Sequence, residues 1–480
     1  MLRRPFSRRF AILAAPLLGL WVGGCAFREH RADLERLFAA GEFDRAAAAL
    51  DDPKVAKLYG ENDRLLLLLD RGAVALATDR HEEALRSLEE AERLIEHYHG
   101  QTLAGTVSQW LLNDTAAPYV GEPYEDLYIN VLKLAAQLER GNIQGGATVE
   151  ARRLASKADL LRDRYLRYRE QLRDKAPAGL DAAAGSFGSV APRGGLVTEN
   201  TEGRFVESTL GTFLTAVTFM FSGDTELQRV AGRRLEDAIR LQQGLIGTVD
   251  PAHFAGVGER EPAEGTLLLV ALSGRGPTKE PESFGPVPVL DWPVYFELPV
   301  LTGGSARAAR VRAVIRSEGG IAPESWAAGA GELETSGNGS GDPRRVELPL
   351  IEDMRAVAIE NHRRHLPLVY TRALVRSSLK AGASFAVTQA VRREDEQGLL
   401  ALASVLAGLA AVALTERADL RTWVFLPAQA HAQLVEVPPG EHLVRLEYLA
   451  AGGGTLMATP WRRVRVPPRG LATIVEHYWQ

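Results

Sequence analysis

The chain has a single cysteine among 480 residues, Cys25, and its surroundings give the thiol a specific chemical use. Val22-Gly23-Gly24-Cys25 resembles a bacterial lipobox, in which a small apolar triplet precedes a cysteine that is diacylated before cleavage on its N-terminal side. The thiol is required because it is the nucleophile that takes the acyl group. Stable anchoring takes at least two lipid chains, so a triacylated Cys25 would hold the mature chain on a membrane. A buried, inert thiol is the alternative.

The residues before Cys25 have the pattern of a secretory signal peptide. Four arginines within residues 1–9 form a positive segment, and residues 10–22 are almost wholly apolar. This run is shorter than the about 20 residues that a membrane span needs, so residues 1–24 are predicted to be a cleaved signal peptide. Inner-membrane retention requires Asp after the acylated cysteine, where this chain has Ala26. The predicted location is the periplasmic face of the outer membrane.

Other residues with metal- or phosphate-binding chemistry lack the spacing that such sites need. His97 and His99 diverge on a helix, while His362 and His365 share a helix face without a third ligand at motif spacing. These last two, with their arginine neighbours, are predicted to form a solvated helix face. Residues 274–279 do not have the order of a phosphate-binding loop, and Pro277 lacks an N–H group, so a turn between strands is expected. The sequence therefore predicts no metal and no cofactor.

Two pairs of residues are candidates for contacts with a protein partner. Tyr124 and Tyr128 lie four residues apart on one face of a predicted helix, where aromatic rings could anchor a partner. The alternative is that both rings cover the neighbouring helices. Arg421 and Trp423 follow Asp419 in a polar cluster. Their alternative role is structural, with an Asp419–Arg421 ion pair and a tryptophan that closes a junction.

Composition describes a large globular protein that depends on burial for its stability. Hydrophobic residues make up 46% of the chain and charged residues 24%, and one cysteine permits no intramolecular disulfide. The length predicts two or three domains. Cleavage before Cys25 would remove four arginines and no acid, leaving 52 basic residues against 61 acidic ones and a net charge of −9. No basic stripe is visible, so nucleic acid is not an expected partner.

Residues 35–260 follow a repeated pattern of an apolar helix, a turn and an amphipathic helix. Four such units are predicted, with turns at Gly41, at residues 78–80, at Gly141 and at Gly223. This pattern is typical of a degenerate tetratricopeptide-like array, interrupted by a loop at 175–195. An ordinary helical domain without repeats is the alternative. Either arrangement buries a continuous core and offers a surface for recognition.

From about residue 264 the apolar pattern changes to the alternation of β-strands. Strands are predicted at 265–274, 292–301 and 306–315, with a flexible loop at 330–343. Residues 431–450 predict a hairpin around a Pro-Pro-Gly-Glu turn, and a similar pattern surrounds Pro467 and Pro468. The predicted fold is α+β and multidomain, with an antiparallel β-sandwich-like domain built from residues 264–348 and 419–480.

A helical insert is predicted at 349–418, between the two parts of the β domain. Leu350, Met354, Val357 and Ala358 have helical spacing, and Pro367 is expected to kink or restart the helix. Residues 399–414 are apolar on nearly every side but are too few for a comfortable membrane span. A central core helix is the favoured interpretation, and membrane insertion is the alternative.

Several of these segments together resemble a family of uncharacterised bacterial envelope lipoproteins with tetratricopeptide-like repeats and a β-rich C-terminal domain. The resemblance is carried by the lipobox and by segments 121–154, 266–280 and, above all, 416–449. The chain departs from the family pattern at Gly145-Gly146 and in its insertion at 175–195. The resemblance implies an envelope lipoprotein linked to outer-membrane activators of peptidoglycan synthases, and it supplies no catalytic residue.

Two functions follow as hypotheses. In the first, a lipid-anchored scaffold, attached to the membrane at Cys25, recruits an envelope protein through its helical repeats. In the second, the β domain binds or processes a polysaccharide. Paired carboxylates distant in sequence would favour an enzyme, and the sequence contains no recognisable catalytic motif.

Overall fold

The protein combines helices and sheets in an α+β architecture, as the sequence predicts. The computed structural model describes residues 29–104, 117–175, 205–246, 264–289, 292–317, 343–394 and 418–480. The predicted signal peptide, Cys25 and the apolar segment 399–414 lie outside these residues. So do residues 176–195 and 330–342 of the two predicted loops.

Helix pairs occur at all four predicted places. Their turns include three glycines with positive φ (Gly41, Gly141 and Gly223) and Asp79 at φ 58°, conformations that favour glycine and tolerate aspartate. The helices before the first strand are α1 (29–39), α2 (Phe43–Asp51), α3 (Pro53–Tyr59), α4 (Arg64–Ala77), α5 (His81–Ala104), α6 (Pro123–Glu139), α7 (Thr148–Ala155), α8 (Lys157–Lys175), α9 (Thr209–Met220) and α10 (Thr225–Ile246). A short π-helical turn, Ile143–Ala147, precedes α7.

Helix α6 lies at the centre of the helical region. It contacts α5, α7 and α9 on one side and elements of the C-terminal half on the other. Nearly all of its side chains are buried, including those of Asn130 and Lys133. Small residues allow close approach elsewhere in this region: a Cβ at Gly72 in α4 would lie 2.6 Å from Leu88 Cδ2 in α5. The helices therefore pack around α6 and leave it almost no free face.

The strands form two larger sheets and one hairpin. One sheet has the order β11-β1-β7-β6, the other the order β10-β8-β4-β5 with β9 paired to β8, and β2 pairs with β3. Their bounds are β1 (Gly265–Ser273), β2 (Thr278–Val289), β3 (Trp292–Thr302), β4 (Arg310–Ser317), β5 (Arg344–Leu348), β6 (Leu350–Asp353), β7 (Gln429–Val437), β8 (Gly440–Leu449), β9 (Thr455–Ala458), β10 (Arg462–Val466) and β11 (Leu471–Tyr478).

Strand β1 is buried on both faces, which explains its uninterrupted apolar sequence. Leu268, Val270 and Leu272 belong to the core that this sheet shares with the helices. The alternate residues Leu267 and Leu269 belong to a second core, shared with the five-stranded sheet. Successive side chains of a strand point to opposite faces, so one strand contributes to both cores. The molecule thus has three layers: helices, the four-stranded sheet and the five-stranded sheet.

Two details of the predicted β domain are wrong. Strands β7 and β8 do not form a hairpin, because β7 pairs with β1 and β6 while β8 pairs with β4, β9 and β10. The segment around Pro438 and Pro439 instead carries the chain from one sheet to the other, and Pro467 and Pro468 do the same between β10 and β11. Proline lacks the N–H group that would continue a ladder.

The second correction concerns strand direction. β1 pairs with β11 in parallel, whereas the sequence pattern predicted an antiparallel arrangement throughout. A strand that follows a tight hairpin must run antiparallel to its neighbour, but β11 enters from the other sheet and is free of this constraint.

The helical insert begins later than predicted. Residues 350–353 form strand β6 at the edge of the four-stranded sheet, and helix α11 (Met354–Glu394) then continues through Pro367. Met354, Val357 and Ala358 are buried on the side predicted from their spacing. Within the described residues, we find no helix with both the length and the hydrophobicity that crossing a bilayer requires.

Candidate functional site

Tyr124 and Tyr128, the predicted partner anchors, are buried inside the molecule. The Tyr124 hydroxyl lies 2.9 Å from Thr422 Oγ1, and the Tyr128 hydroxyl donates to Glu352 Oε1 at 2.6 Å. The prediction that these rings are exposed on a recognition surface is therefore wrong. Their i, i+4 spacing does place them on one face of α6, but the C-terminal half of the chain covers that face.

Arg421 and Trp423 also lie at the contact between the helices and the C-terminal half. Arg421 makes the predicted ion pair with Asp419, with Nη2 at 2.7 Å from Oδ2, and a second pair with Asp63 at 3.0 Å. Its guanidinium also lies over the Tyr119 ring. Trp423 is buried, and its backbone N–H donates to Glu125 Oε1 at 2.6 Å. Both residues therefore have the structural role that the sequence offered as the alternative: Arg421 pairs with Asp419, and Trp423 closes a junction.

Glu125 joins three segments through its buried carboxylate. Its Oε2 accepts hydrogen bonds from the Tyr119 hydroxyl at 2.7 Å and from the Glu122 N–H at 2.9 Å, while Oε1 accepts the bond from Trp423. The bond to Glu122 is half of a capping box at the start of α6. Burial raises the pKa of Glu125. The side chain of Glu125 therefore caps the start of α6 and also holds the segment that leads to β7.

Glu122 lies at the centre of a buried ionic cluster. Lys279 Nζ is 2.5 Å from its Oε1, and the Nδ1 atoms of His362 and His365 lie 3.4 and 3.7 Å from its Oε2. Burial would raise the pKa of Glu122, but Lys279 and the two imidazoles outweigh this effect and hold that pKa well below its usual range. The same ion pair raises the pKa of Lys279 against the effect of its burial.

The position of His362 corrects a prediction made from the sequence. The imidazole is not on a solvated helix face: it is buried, and its Nε2 donates to the carbonyl of Pro299 at 3.1 Å. Arg363 and Arg364, its neighbours on α11, do lie at the surface, where both pair with Glu360. Polar spacing on a helix does not reveal that a β-hairpin will cover one side of it.

Glu352, at the end of β6, is a buried carboxylate held by neutral donors. Its Oε2 accepts from the Ser208 hydroxyl at 2.6 Å and from the Leu210 N–H at 2.7 Å, in addition to the Tyr128 bond at Oε1. Ser208 caps α9, so the carboxylate lies at the N-terminus of that helix, where the backbone favours an anion. Burial nevertheless raises the pKa of Glu352 to about 7, against the effect of its three donors.

We call these residues the junction cluster: Tyr119, Glu122, Tyr124, Glu125, Tyr128, Lys279, Glu352, His362, Arg421 and Trp423. It joins the helices to the strands and α11 through buried hydrogen bonds and ion pairs. Perturbed titratable groups often mark functional sites, but structural ion-pair networks perturb pKa values as well. Each carboxylate of the cluster is already bonded to donors of the chain itself, so the arrangement serves to hold the two halves together.

A second group, Asp79, His81 and Glu139, brings together side chains that could bind a metal ion. The Arg462 guanidinium already lies among them, with Nη1 at 2.9 Å from Glu139 and 3.3 Å from Asp79. It also pairs with Glu476 at 3.4 Å, whose pKa is raised to about 7 by burial. A fixed positive charge here opposes the binding of a cation, so this group is a salt-bridge network.

Sequence reasoning did not identify Glu122, Glu125, Lys279 or Glu352. One signal was available for the first two, because Glu-Pro-Tyr-Glu before an apolar run has the spacing of a capping box. Glu352, at the end of the apolar segment Leu350-Ile351, could have been suspected as a buried acid. No sequence pattern near Lys279 predicts a buried ion pair with a residue 157 positions earlier.

Comparisons of this chain with protein-family models, with curated proteins and with solved structures find no match.

Proposed function

We propose that the protein is a lipid-anchored binding scaffold of the bacterial envelope. In this proposal the helix pairs form a degenerate tetratricopeptide-like array, and the two larger sheets form a β-sandwich-like domain packed against it. The anchor is Cys25, and the location is the periplasmic face of the outer membrane. The family of envelope lipoproteins that the sequence resembles has the same implied setting.

One observation carries the scaffold proposal: the junction cluster unites the two halves of the chain by buried polar bonds. Glu125 and Glu352 each connect segments that are more than 140 positions apart in sequence. Buried polar groups cost free energy unless they are bonded, so their bonds disfavour any sliding of one half over the other. A preorganised body of this kind suits a protein that presents a surface, since rigidity lowers the cost of binding.

The burial of the two tyrosines changes where a partner would bind. A fragment containing only residues 26–260 would expose Tyr124, Glu125 and Tyr128, which the C-terminal half normally covers. Capture of a partner by such a fragment would therefore be uninformative. Binding experiments need the whole mature chain, with substitutions on its exposed surface.

The test of the anchor is the variant Cys25→Ser. Because Cys25 is the only possible acyl acceptor, we expect this variant to remain uncleaved or to be released, without incorporating labelled palmitate. Density-gradient fractionation should place the native protein with outer-membrane markers. Normal palmitate labelling of the variant, or native protein in inner-membrane fractions, would contradict the proposal.

The test of the scaffold is chemical crosslinking of intact envelopes, followed by purification of the native lipoprotein. We expect one envelope protein to be recovered in constant proportion from the native strain and to be absent when Cys25→Ser releases the chain. Recovery of the lipoprotein alone, at crosslinker doses that join known neighbouring envelope proteins, would contradict a scaffold.

Polysaccharide binding is a second candidate, favoured by one specific feature. Trp461 is partly exposed on the outer sheet, with the guanidinium groups of Arg316 and Arg445 4.6 and 4.8 Å from its ring centroid. Aromatic rings beside hydrogen-bond donors suit a ligand that is polar at its edges and less polar on its faces, as sugars are.

A further inference from the structure

The five-stranded sheet has one face in the core and one face that no described helix or sheet covers. Val311, Ala313 and Ile315 of β4 point into the core shared with the other sheet, as do Val444 and Leu446 of β8. Their sequence neighbours must point the other way, because side chains alternate along a strand. On β4, β5, β8 and β10 the outward positions are rich in arginine.

We define the arginine face as Arg316, Arg345, Arg445, Arg463 and Arg465 together with Trp461. The strand register brings these residues together: Arg445 and Arg345 both flank Val314 on β4, and Arg463 lies beside Leu443, which is next to Arg316. Residues on adjacent strands lie about 4.8 Å apart and alternate residues of one strand about 7 Å apart. The guanidinium groups therefore form a continuous array.

Two of these charges, Arg316 and Arg345, have no carboxylate partner within the described part of the chain. Arg445 pairs with Glu447 at 2.6 Å, and Arg465 approaches Glu441 only to 3.9 Å with a side chain that is 84% exposed. Arg316 and Arg345 are exposed, and neither makes an ion pair with a described acid. The cluster of positive charge lies on a chain whose net charge is −5.

We propose that the arginine face binds a linear polysaccharide that carries carboxylate groups. The guanidinium fork matches a carboxylate in two parallel hydrogen bonds, and the face contains arginine but no lysine. Trp461 adds a flat ring among the charges, on which a sugar ring can stack. The choice of an envelope polysaccharide rests on the proposed location, whereas the anion-binding surface itself does not.

Other occupants fit the face less well. Stable binding to a membrane surface combines basic charge with apolar side chains that insert, and the large exposed hydrophobic residues of the described chain (Val149, Leu160 and Leu420) all lie elsewhere. The anchors of a protein interface lie in well-packed, desolvated pockets, whereas the side chains of Arg316, Arg345 and Arg465 are exposed to water. Glu441 and Glu447 lie within the array and repel any polyanion, but they disfavour the dense phosphates of a nucleic acid more than the more widely spaced carboxylates of a polysaccharide.

The experiment uses residues 26–480 as a soluble mature chain, with polygalacturonate as the probe and its fully methyl-esterified form as the uncharged control. The first variant is Arg316→Gln/Arg345→Gln/Arg465→Gln. Its matched control is Arg229→Gln/Arg233→Gln/Arg240→Gln, which removes three exposed arginines from α10. A second variant, Trp461→Ala, removes the ring but no charge. Calorimetry measures affinity between 50 and 200 mM salt.

We expect native protein to bind polygalacturonate and not its methyl ester. The arginine variant should bind about tenfold or more weakly, as expected for three lost surface ion pairs, and its affinity should depend less on salt. Trp461→Ala should lower affinity without changing the salt dependence, while the α10 variant should bind as the native chain does.

Three outcomes would overturn the proposal: equal binding of the ester, an equal loss in the α10 variant, or tighter binding to polyglutamate or oligo-dT than to polygalacturonate. Unchanged melting temperatures would show that each variant is folded. The result is independent of the Cys25→Ser experiment, because the soluble chain carries no lipid. A failure of binding and a failure of the envelope location are therefore distinguishable.

Discussion

The junction cluster and the arginine face are both rich in charge, yet their charges are held in opposite ways. In the junction cluster, Glu122 and Lys279 are removed from water and bonded to each other, and the carboxylate of Glu125 accepts bonds from three donors. On the arginine face, Arg316 and Arg345 remain in water. A buried charge costs free energy unless it is paired within the chain, whereas an exposed charge is solvated and can still form hydrogen bonds with a ligand. The titratable groups with the most perturbed environments are thus the structural ones.

The largest effect is expected when a buried pair is broken. Lys279→Met leaves the buried Glu122 carboxylate without its lysine partner, so the free energy of unfolding should fall by about 3–5 kcal/mol. Urea unfolding followed by circular dichroism measures the change. The matched control is Arg229→Met, which removes one member of an exposed pair with Glu226 and should cost no more than about 1 kcal/mol.

A double variant distinguishes a lost ion pair from lost packing. Glu122→Gln/Lys279→Met has no buried charge at this point, so it should be more stable than Lys279→Met alone. If the double variant is less stable than the single one by the full cost of Glu122→Gln, the two side chains are not coupled. In that case the ion pair does not unite the halves of the molecule.

The second effect depends on pH and concerns Glu352. An acid whose pKa is higher in the folded state than in the unfolded state binds a proton on folding, so stability falls as pH rises between the two values. The pKa of Glu352 is raised from 4.5 to about 7. This residue should therefore cost the native protein up to about 3 kcal/mol between pH 4.5 and 7, with little further change above pH 8.

Glu352→Gln isolates that contribution. The amide cannot ionise but keeps an oxygen that accepts from Ser208 and Leu210. The variant should be less stable than the native chain at pH 5. Between pH 5 and pH 8 its free energy of unfolding should rise by about 2–3 kcal/mol relative to that of the native chain. The difference between the two proteins cancels the opposite contribution of His431 and His477, whose pKa values burial lowers to about 4. Parallel pH profiles for the two proteins would mean that Glu352 stays ionised.

The sequence predicts local structure in this chain far better than it predicts which elements meet. The four helix turns follow from glycine and aspartate, whose conformational preferences are local, and β1 follows from its apolar run. The Pro-Pro segments were recognised as turns, but whether a turn joins paired strands or two sheets depends on distant partners. Tyr128 and His362 were misplaced for the same reason, since the residues that cover them lie more than 60 positions away in sequence.

The arginine face shows a signal that was present but divided among segments. Arg-Val-Arg-Ala-Val-Ile-Arg in β4 and Arg-Arg-Val-Arg-Val in β10 each alternate arginine with apolar residues. Such alternation marks the outward side of a half-buried strand. No single segment contains a basic stripe, because the stripe forms only when four strands that span more than 150 positions lie side by side.

The smallest effect is expected on the arginine face, and it is the one that tests the comparison most directly. Arg316→Gln/Arg345→Gln/Arg465→Gln removes three charges that the fold does not pair within hydrogen-bonding distance, so its free energy of unfolding should change by no more than about 1 kcal/mol. A small part of this change is expected from packing at Val314. The aliphatic stems of Arg345 and Arg445 flank that buried side chain, and the glutamine that replaces Arg345 is shorter. Arg345→Met keeps an apolar stem there and should be neutral. If the triple variant instead loses as much stability as Lys279→Met, its arginines hold the sheet together, and a surface reserved for a ligand would be the wrong description of them.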